Sequence, residues 1–148
     1  SAECVALLLK NGAALDVQDK NGVTALQKAS AEGATDCVKL LLAAGADVNL
    51  QNVFGNTAMQ RASQAGSIEC VKLLFESGAD IKPLGNEASV LYSAAPYPEI
   101  TKFLIDNGAD VNYEKKIAKS VRHWLKKHLR RFPVNSNYIA ETMRGISR

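Results

Sequence analysis

The five residues Gly45-Ala46-Asp47-Val48-Asn49 define the repeat of this chain. They recur in full as Gly108-Ala109-Asp110-Val111-Asn112 and in part as Gly78-Ala79-Asp80-Ile81 and Gly12-Ala13. They follow an apolar segment, Cys37-Val38-Lys39-Leu40-Leu41, which recurs with them. The glycines that open the successive phrases are 33, 33 and 30 residues apart: Gly12, Gly45, Gly78 and Gly108. A period of about 20–50 residues predicts a solenoid, in which each unit buries its apolar face against its neighbours.

Each unit is predicted to contain a turn, a short Ala-rich helix and a longer Leu-rich helix. Thr24, Thr57 and Ser89 precede the short helices, where a hydroxyl oxygen accepts a hydrogen bond from a free backbone N–H. The repeated glycines follow the longer helices, at the position that favours a left-handed backbone. Because the Leu positions recur at helical spacing, each longer helix has one face to bury. The pattern predicts an all-α solenoid with β-turn or hairpin tips.

A 33-residue unit of this kind resembles the ankyrin repeat, whose signature is Thr-Pro-Leu-His-x-Ala. The chain departs from that signature: Pro is replaced by Ala25, Ala58 and Val90, and His by Gln27, Gln60 and Tyr92. The resemblance covers residues 1–112 and implies about four helix-pair units. The first of these is partial, because residues 1–10 match only a longer helix.

The resemblance also implies a binding surface. In ankyrin-repeat proteins the turn tips and the exposed face of the short helices form a concave groove that binds partner proteins. Carried over position by position, the first strip of this groove is Gln18, Lys20, Asn21, Val23, Lys28, Ala31 and Glu32. The second strip is Gln51, Val53, Phe54, Asn56, Arg61, Gln64 and Ala65. The third strip, from the unit with a shortened turn, is Lys82, Leu84, Asn86, Ala88 and Ser93.

Phe54 and Arg61 are the candidate anchors of this groove. The family usually has a polar residue at the Phe54 position, as Asn21 is one repeat earlier. An aromatic ring exposed at a tip would be a candidate hot spot for binding, but the ring could instead fold back onto the neighbouring turn. Arg61 is either a second anchor or a solvated surface charge. Asn49, in the repeated phrase, is expected to form hydrogen bonds within its turn, although in family proteins this Asn can be hydroxylated.

The residues that could support catalysis or metal binding are few. Cys4, Cys37 and Cys70 are spaced like the repeat, so we interpret each as a small apolar residue in the core of a longer helix rather than as part of a metal or redox cluster. Their odd number favours a reducing compartment, the cytoplasm or the nucleus. The two histidines, His123 and His128, have no Cys or carboxylate partners at ligand spacing. We therefore predict no metal, no cofactor and no enzymatic activity.

Residues 113–148 form a second region with opposite charge. They contain 10 Lys/Arg and 2 Asp/Glu, whereas residues 1–112 contain 8 and 13. An apolar stripe predicts an amphipathic helix that caps the last repeat: Ile117, Val121, Trp124, Leu125, Leu129 and Phe132. The opposite face carries a basic cluster: Lys126, Lys127, Arg130 and Arg131. This cluster is a solvated face, a nuclear-import signal or a site for nucleic acid or another anionic surface. Nucleic-acid binding would also need exposed aromatic rings, which the buried stripe does not offer.

The same tail has a further resemblance. Ser120-Val121-x-x-Trp124-Leu125-Lys126-x-x-Leu129-Arg130 is similar to the start of the suppressor-of-cytokine-signalling box, which binds the elongin adaptor in ubiquitin-ligase substrate receptors. The chain departs from that pattern, because Leu125 replaces a Cys and the Leu-Pro-Leu-Pro stretch is absent. We therefore expect a scaffold or targeting module first, and a ligase receptor second. No membrane span is expected, since the apolar runs of the sequence, such as residues 40–44, are only a few residues long.

Overall fold

A computed structural model describes residues 1–81 and 90–109. Four positions of the predicted third strip, Lys82, Leu84, Asn86 and Ala88, lie outside these residues, as do the predicted cap Ser89 and the whole basic tail. The described part contains helices and no strands. In chain order the helices are α1 (Ala2–Lys10), α2 (Ala25–Ala31), α3 (Thr35–Ala43), α4 (Ala58–Ala65), α5 (Ile68–Glu76), α6 (Val90–Ser93) and α7 (Pro98–Asp106).

The helices form two layers, which confirms the predicted solenoid. The short helices α2, α4 and α6 pack on one another in sequence order, and the longer helices α1, α3, α5 and α7 do the same. Each short helix also packs on the longer helix of its own unit. The core contains one large buried side chain from the middle of each short helix: Leu26, Met59 and Leu91. Burial of such apolar surface is the main stabilising contribution to a solenoid.

Two of the predicted helix caps are confirmed. Thr24 Oγ1 accepts a hydrogen bond from Gln27 N at 3.2 Å. Thr57 Oγ1 accepts one from Gln60 N at 3.4 Å, and Gln60 Oε1 accepts one from Thr57 N at 2.8 Å, which completes a capping box. The glycines that define the repeat have positive φ angles between 77° and 94°, as expected for residues that end a helix.

Adjacent units are also joined by side chains at the start of each turn. Asp16 Oδ1 accepts a hydrogen bond from Asp47 N at 3.0 Å. One repeat later, Asn49 Oδ1 accepts one from Asp80 N at 2.9 Å, and Asn49 Nδ2 donates to Gly78 O at 3.4 Å. The Asn49 side chain was predicted to bond within its own turn, but it bonds to the next unit; within the turn, Asn49 N donates to Asp47 Oδ1 at 2.9 Å.

The unit formed by α6 and α7 has a shortened turn in which Tyr97 is packed against its neighbour. Pro98 begins α7, and Tyr97 is the residue before it. The Tyr97 ring occupies the space where a side chain on Gly66 would lie. Thr101 Oγ1 donates a hydrogen bond to Ala94 O at 2.8 Å across the turn. A residue larger than Gly at position 66 would displace this ring, so Tyr97 has a structural role.

The cysteines differ in burial along the stack. Cys70 is buried and its Sγ lies 3.7 Å from Thr35 Oγ1 on the preceding longer helix. Cys37 is half-buried, and Cys4 is exposed. The prediction of a core position is therefore wrong for Cys4, because α1 has no preceding longer helix within the described residues. Among these residues, no group of three or more His, Cys, Asp or Glu side chains could hold a metal ion. None of the helices described here combines the length and apolar character that crossing a membrane requires.

Candidate protein-interaction surface

The first turn of interest, residues 18–23, is called the first tip. Its shape is set by the side chain of Asp19, whose Oδ1 accepts hydrogen bonds from Asn21 N at 2.8 Å and Val23 N at 3.0 Å. The backbone closes the same loop, since Asp19 N donates to Val23 O at 3.1 Å. These backbone N–H donors, that of Val23 first, lower the pKa of the Asp19 carboxyl because they stabilise its ionised form.

The second tip, residues 51–56, repeats this geometry with a neutral residue. Asn52 Oδ1 accepts hydrogen bonds from Phe54 N and Asn56 N, both at 3.0 Å. Asn52 N donates to Asn56 O at 3.0 Å. The Asn52 side chain is buried, so its acceptor is held in place by the surrounding residues. Phe54 therefore lies on a backbone whose conformation is fixed on both sides.

The two tips are hydrogen-bonded to each other. Val53 N donates to Asn21 O at 3.0 Å. The exposed Gln18 side chain donates from Nε2 to Gly22 O at 2.8 Å and to Gln51 O at 2.9 Å. Gly22 has a φ of +71°, and a Cβ at this position would lie 3.0 Å from Val53 N. Only glycine allows this approach without a shift of the backbone.

The second tip is also held from below by the preceding short helix. Gln27, buried in α2, donates from Nε2 to Leu50 O at 2.7 Å and to Asn56 O at 3.1 Å. One amide group thus joins both ends of the tip to the helix layer. The ankyrin signature alone does not predict this contact, because Gln27 stands at the position where the family has His.

Phe54 and Val53 are the most exposed apolar residues of the second tip. Their exposed fractions are 72% and 65%. The alternative in which the Phe54 ring folds back onto a neighbouring turn is therefore wrong. At the equivalent positions of the first tip, Lys20 and Asn21 are exposed polar residues. The second tip thus presents an apolar pair to solvent on a fixed backbone.

The exposed faces of α2 and α4 continue the surface below the tips. Lys28 is exposed on α2, and Arg61 is half-buried at the equivalent position of α4. Arg61 Nη1 donates to Gln64 Oε1 at 3.2 Å, so the guanidinium is partly held in place. Together with the tips these faces form what we call the concave surface. Its exposed predicted residues are Gln18, Lys20, Asn21, Lys28, Glu32, Val53, Phe54, Gln64 and Ala65. Its half-buried ones are Val23, Ala31, Gln51, Asn56 and Arg61.

The third short helix corrects one assignment. Ser93 was expected to be exposed, but only 6% of it is accessible, whereas its neighbour Tyr92 is 53% exposed. A helix turns by about 100° per residue, so a shift of one residue exchanges a buried position for an exposed one. On α6, therefore, Tyr92 rather than Ser93 is the exposed residue. The irregular 30-residue spacing was the signal in the sequence that the alignment is not exact there.

The geometry is that of an ankyrin-repeat solenoid, and comparison with known proteins agrees. The sequence profile of ankyrin repeats (3 copies) matches residues 1–84 and 52–115. The chain therefore belongs to the ankyrin-repeat family. Ankyrin repeats indicate a protein–protein interaction module.

One solved structure similar to this chain is the crystal structure of the human ASB11 ankyrin repeat domain. The TM-score is 0.73 and the sequence identity is 26%. The match covers 86% of this chain and 64% of the human chain, so this chain spans less than two thirds of the human one. No curated protein matches the chain by sequence.

Proposed function

We propose that this chain is a non-catalytic scaffold or targeting module whose concave surface binds a partner protein. The observation that carries the proposal is Phe54, an aromatic residue 72% exposed on a tip with a fixed backbone. Exposed aromatic and Arg residues are enriched among the residues that dominate binding energy. Arg61, on α4 directly after the second tip, is the second anchor.

The mechanism is recognition by a preformed surface. The first and second tips are joined by the Val53 N to Asn21 O hydrogen bond, and the second is tied to α2 by Gln27. A surface held in this way loses little conformational entropy when a partner binds. No chemical step is needed, and we place the module in the cytoplasm, the nucleus or both, in keeping with its free cysteines.

A pull-down from cell lysate at high salt tests the proposal, because high salt suppresses contacts made only by the basic tail. The bait is the full chain, compared with Phe54→Ala, Arg61→Ala and a control, Lys72→Ala. Lys72 is exposed on α5, outside the concave surface. We expect one protein to be retained by the wild type and the control and weakened by both surface variants. A partner that is unaffected by Phe54→Ala and Arg61→Ala would contradict the assignment.

A second candidate function is that of a ubiquitin-ligase substrate receptor. It is supported by the sequence of the tail from Ser120 to Arg130. This segment lies outside the described residues. In the same pull-down, this function requires elongin and a cullin among the retained proteins. Both should remain bound to the Phe54→Ala variant, because the tail rather than the concave surface would recruit them. Absence of elongin from the retained proteins would exclude the ligase-receptor function.

The third candidate is electrostatic binding of nucleic acid or another anionic surface by Lys126, Lys127, Arg130 and Arg131. It is supported by the opposite charge of residues 113–148 and residues 1–112. Changing these four residues to Gln should remove only partners that are also lost at high salt.

A further inference from the structure

The charges on the concave surface differ from those on the rest of the structure. The surface carries three basic side chains, Lys20, Lys28 and Arg61, and two carboxylates, those of Asp19 and Glu32. The Asp19 carboxylate accepts hydrogen bonds from its own tip, so part of its acceptor capacity is already used. Glu32 is the C-cap residue that follows α2. Positive charge therefore prevails along the line from the tips to α4.

The remaining described residues show the opposite balance. They carry nine carboxylates and only four lysines. Several of these carboxylates lie in the first turns of the longer helices: Glu3, Asp36, Glu69 and Glu99. The composition of the described chain is thus acidic overall, yet the predicted binding face is not. Such segregation steers partners of complementary charge toward one face.

No salt bridge joins the basic residues of the concave surface to a described carboxylate, although Lys20 and Lys28 are near enough to Asp19 to interact with its carboxylate electrostatically. In residues 1–81 and 90–109 the one salt bridge joins Lys102 and Asp106, at the other end of the stack. Arg61 has a neutral hydrogen-bond partner, Gln64. Within the described chain, no internal ion pair has to be broken before a carboxylate from a partner contacts Lys28 or Arg61.

The apolar part of the surface lies beside this charge. Val53 and Phe54 follow Asn52 on the second tip, which leads directly into α4, the helix that carries Arg61. Lys28 and Arg61 occupy equivalent positions on neighbouring helices, whose axes are typically about 8–10 Å apart. An extended peptide in the polyproline II conformation advances about 3.1 Å per residue and has three residues per turn, so side chains three residues apart lie on the same side of it. Carboxylates about three residues apart on such a peptide would match these two basic groups.

We propose that the partner presents an acidic, extended segment to the concave surface, with two carboxylates about three residues apart and a bulky apolar side chain. The carboxylates contact Lys28 and Arg61, and the apolar side chain packs on Val53 and Phe54. This inference rests on the proposed function and specifies the chemistry of the partner.

Selection from a phage-displayed library of random 12-residue peptides against the full chain tests this proposal. We expect the enriched peptides to be rich in Asp and Glu at a spacing of about three residues and to contain an aromatic or large aliphatic residue. The affinity of a synthetic consensus peptide is then measured for the double variant Lys28→Gln/Arg61→Gln. We expect a loss of about tenfold or more.

The matched control is the double variant Lys39→Gln/Lys72→Gln. It removes two positive charges from exposed positions of α3 and α5, on the layer of longer helices. A general effect of net charge would weaken binding equally in both double variants. We expect the control to bind the peptide within about twofold of the wild type, and Phe54→Ala to bind it more weakly.

Three outcomes would overturn the proposal. Enriched peptides without an excess of Asp and Glu that still require Phe54 would exclude the acidic preference and leave the proposed function standing. Acidic peptides whose binding is lost only on changing Lys126, Lys127, Arg130 and Arg131 to Gln would assign the charge recognition to the tail. Peptides that depend on none of Lys28, Phe54 and Arg61 would count against both the inference and the proposed function.

Discussion

The first and second tips have nearly the same hydrogen bonds and present different side chains. In both, a side-chain oxygen accepts from two backbone N–H groups: Asp19 in the first tip and Asn52 in the second. The outer positions carry Lys20 and Asn21 in one tip and Val53 and Phe54 in the other. The fold therefore requires the acceptor and leaves the outer positions free. An exposed Phe54 is not needed to build the turn, which is why we assign it to binding.

The tips also differ in how closely the backbone at their glycines approaches a neighbouring unit. The first tip contacts the second through Gly22, which approaches the backbone of Val53. At Gly55, the equivalent glycine of the second tip, a Cβ would meet nothing within 4 Å. The same substitution at these two positions separates the cost of a left-handed backbone from the cost of a contact between units.

The largest effect is expected for Gly22→Ala compared with Gly55→Ala. Both glycines have positive φ, so each variant is destabilised by about 1–2 kcal/mol. Gly22→Ala should lose about 1–3 kcal/mol more, because its Cβ meets the Val53 backbone. Urea unfolding of both variants measures the difference in the free energy of unfolding. Equal losses would show that the two tips are not in the close contact described.

The next effect concerns two glutamine side chains that hold the second tip in place, Gln27 from α2 and Gln18 from the first tip. Gln27→Ala leaves the carbonyls of Leu50 and Asn56 without their buried donor, and we expect a loss of about 1–3 kcal/mol in the free energy of unfolding. Gln18→Ala also removes two hydrogen bonds, but Gln18 is exposed and water replaces them. The loss there should be about 0.5–1 kcal/mol. The reverse order in urea unfolding would show that the second tip is not held by α2.

Phe54→Ala sharpens the comparison of the outer positions. We expect its free energy of unfolding to stay within about 0.5 kcal/mol of the wild type, because the ring is exposed. Its binding of the partner should weaken by about 1–2 kcal/mol or more. Asn21→Ala, at the same position of the first tip, is the control and should have a smaller effect on binding. Titration calorimetry with the partner measures the binding of the two variants, and urea unfolding measures their free energies of unfolding. A loss of stability in Phe54→Ala would assign the ring to the fold instead.

The smallest effect is a pH dependence of the first tip. The pKa of Asp19 is lowered in the folded state, so its carboxylate stabilises the fold above the pKa of the unfolded chain, about 3.9. This stabilisation is lost as the pH falls through the folded pKa. We expect Asp19→Asn, which copies the second tip, to reduce the fall in Tm between pH 6 and pH 3. Asn52→Asp should increase that fall. Unchanged profiles would contradict the assigned hydrogen bonds.

Much of the fold could be predicted from the sequence, because it depends on local and periodic features. The caps at Thr24 and Thr57 and the glycines at helix ends are where the pattern predicts them. These features depend on the backbone of one unit and on its nearest neighbours. A repeat that buries the same positions in every unit makes such predictions reliable.

The proposed binding surface was less predictable, because the exposure of its residues depends on contacts between units. The sequence left two orientations open for Phe54, and the distinction required the packing of the tips. Tyr92 was missed because Ser93, not Tyr92, aligns with Lys28 and Arg61 in the repeat, whereas the exposed residue of α6 is Tyr92. Cys4 was assigned to a core position by analogy with Cys70, although burial there requires a preceding longer helix.

Photo-cross-linking tests the central claim, that the concave surface is the binding face, most directly. The photoreactive residue p-benzoylphenylalanine is placed at position 54 in one variant and at position 72 in another, and each is irradiated in cell lysate. Both positions are exposed, but position 72 lies on α5 in the layer of longer helices. We predict a discrete cross-linked partner from position 54 and none from position 72. The same partner captured equally from both positions, or only from position 72, would contradict the account.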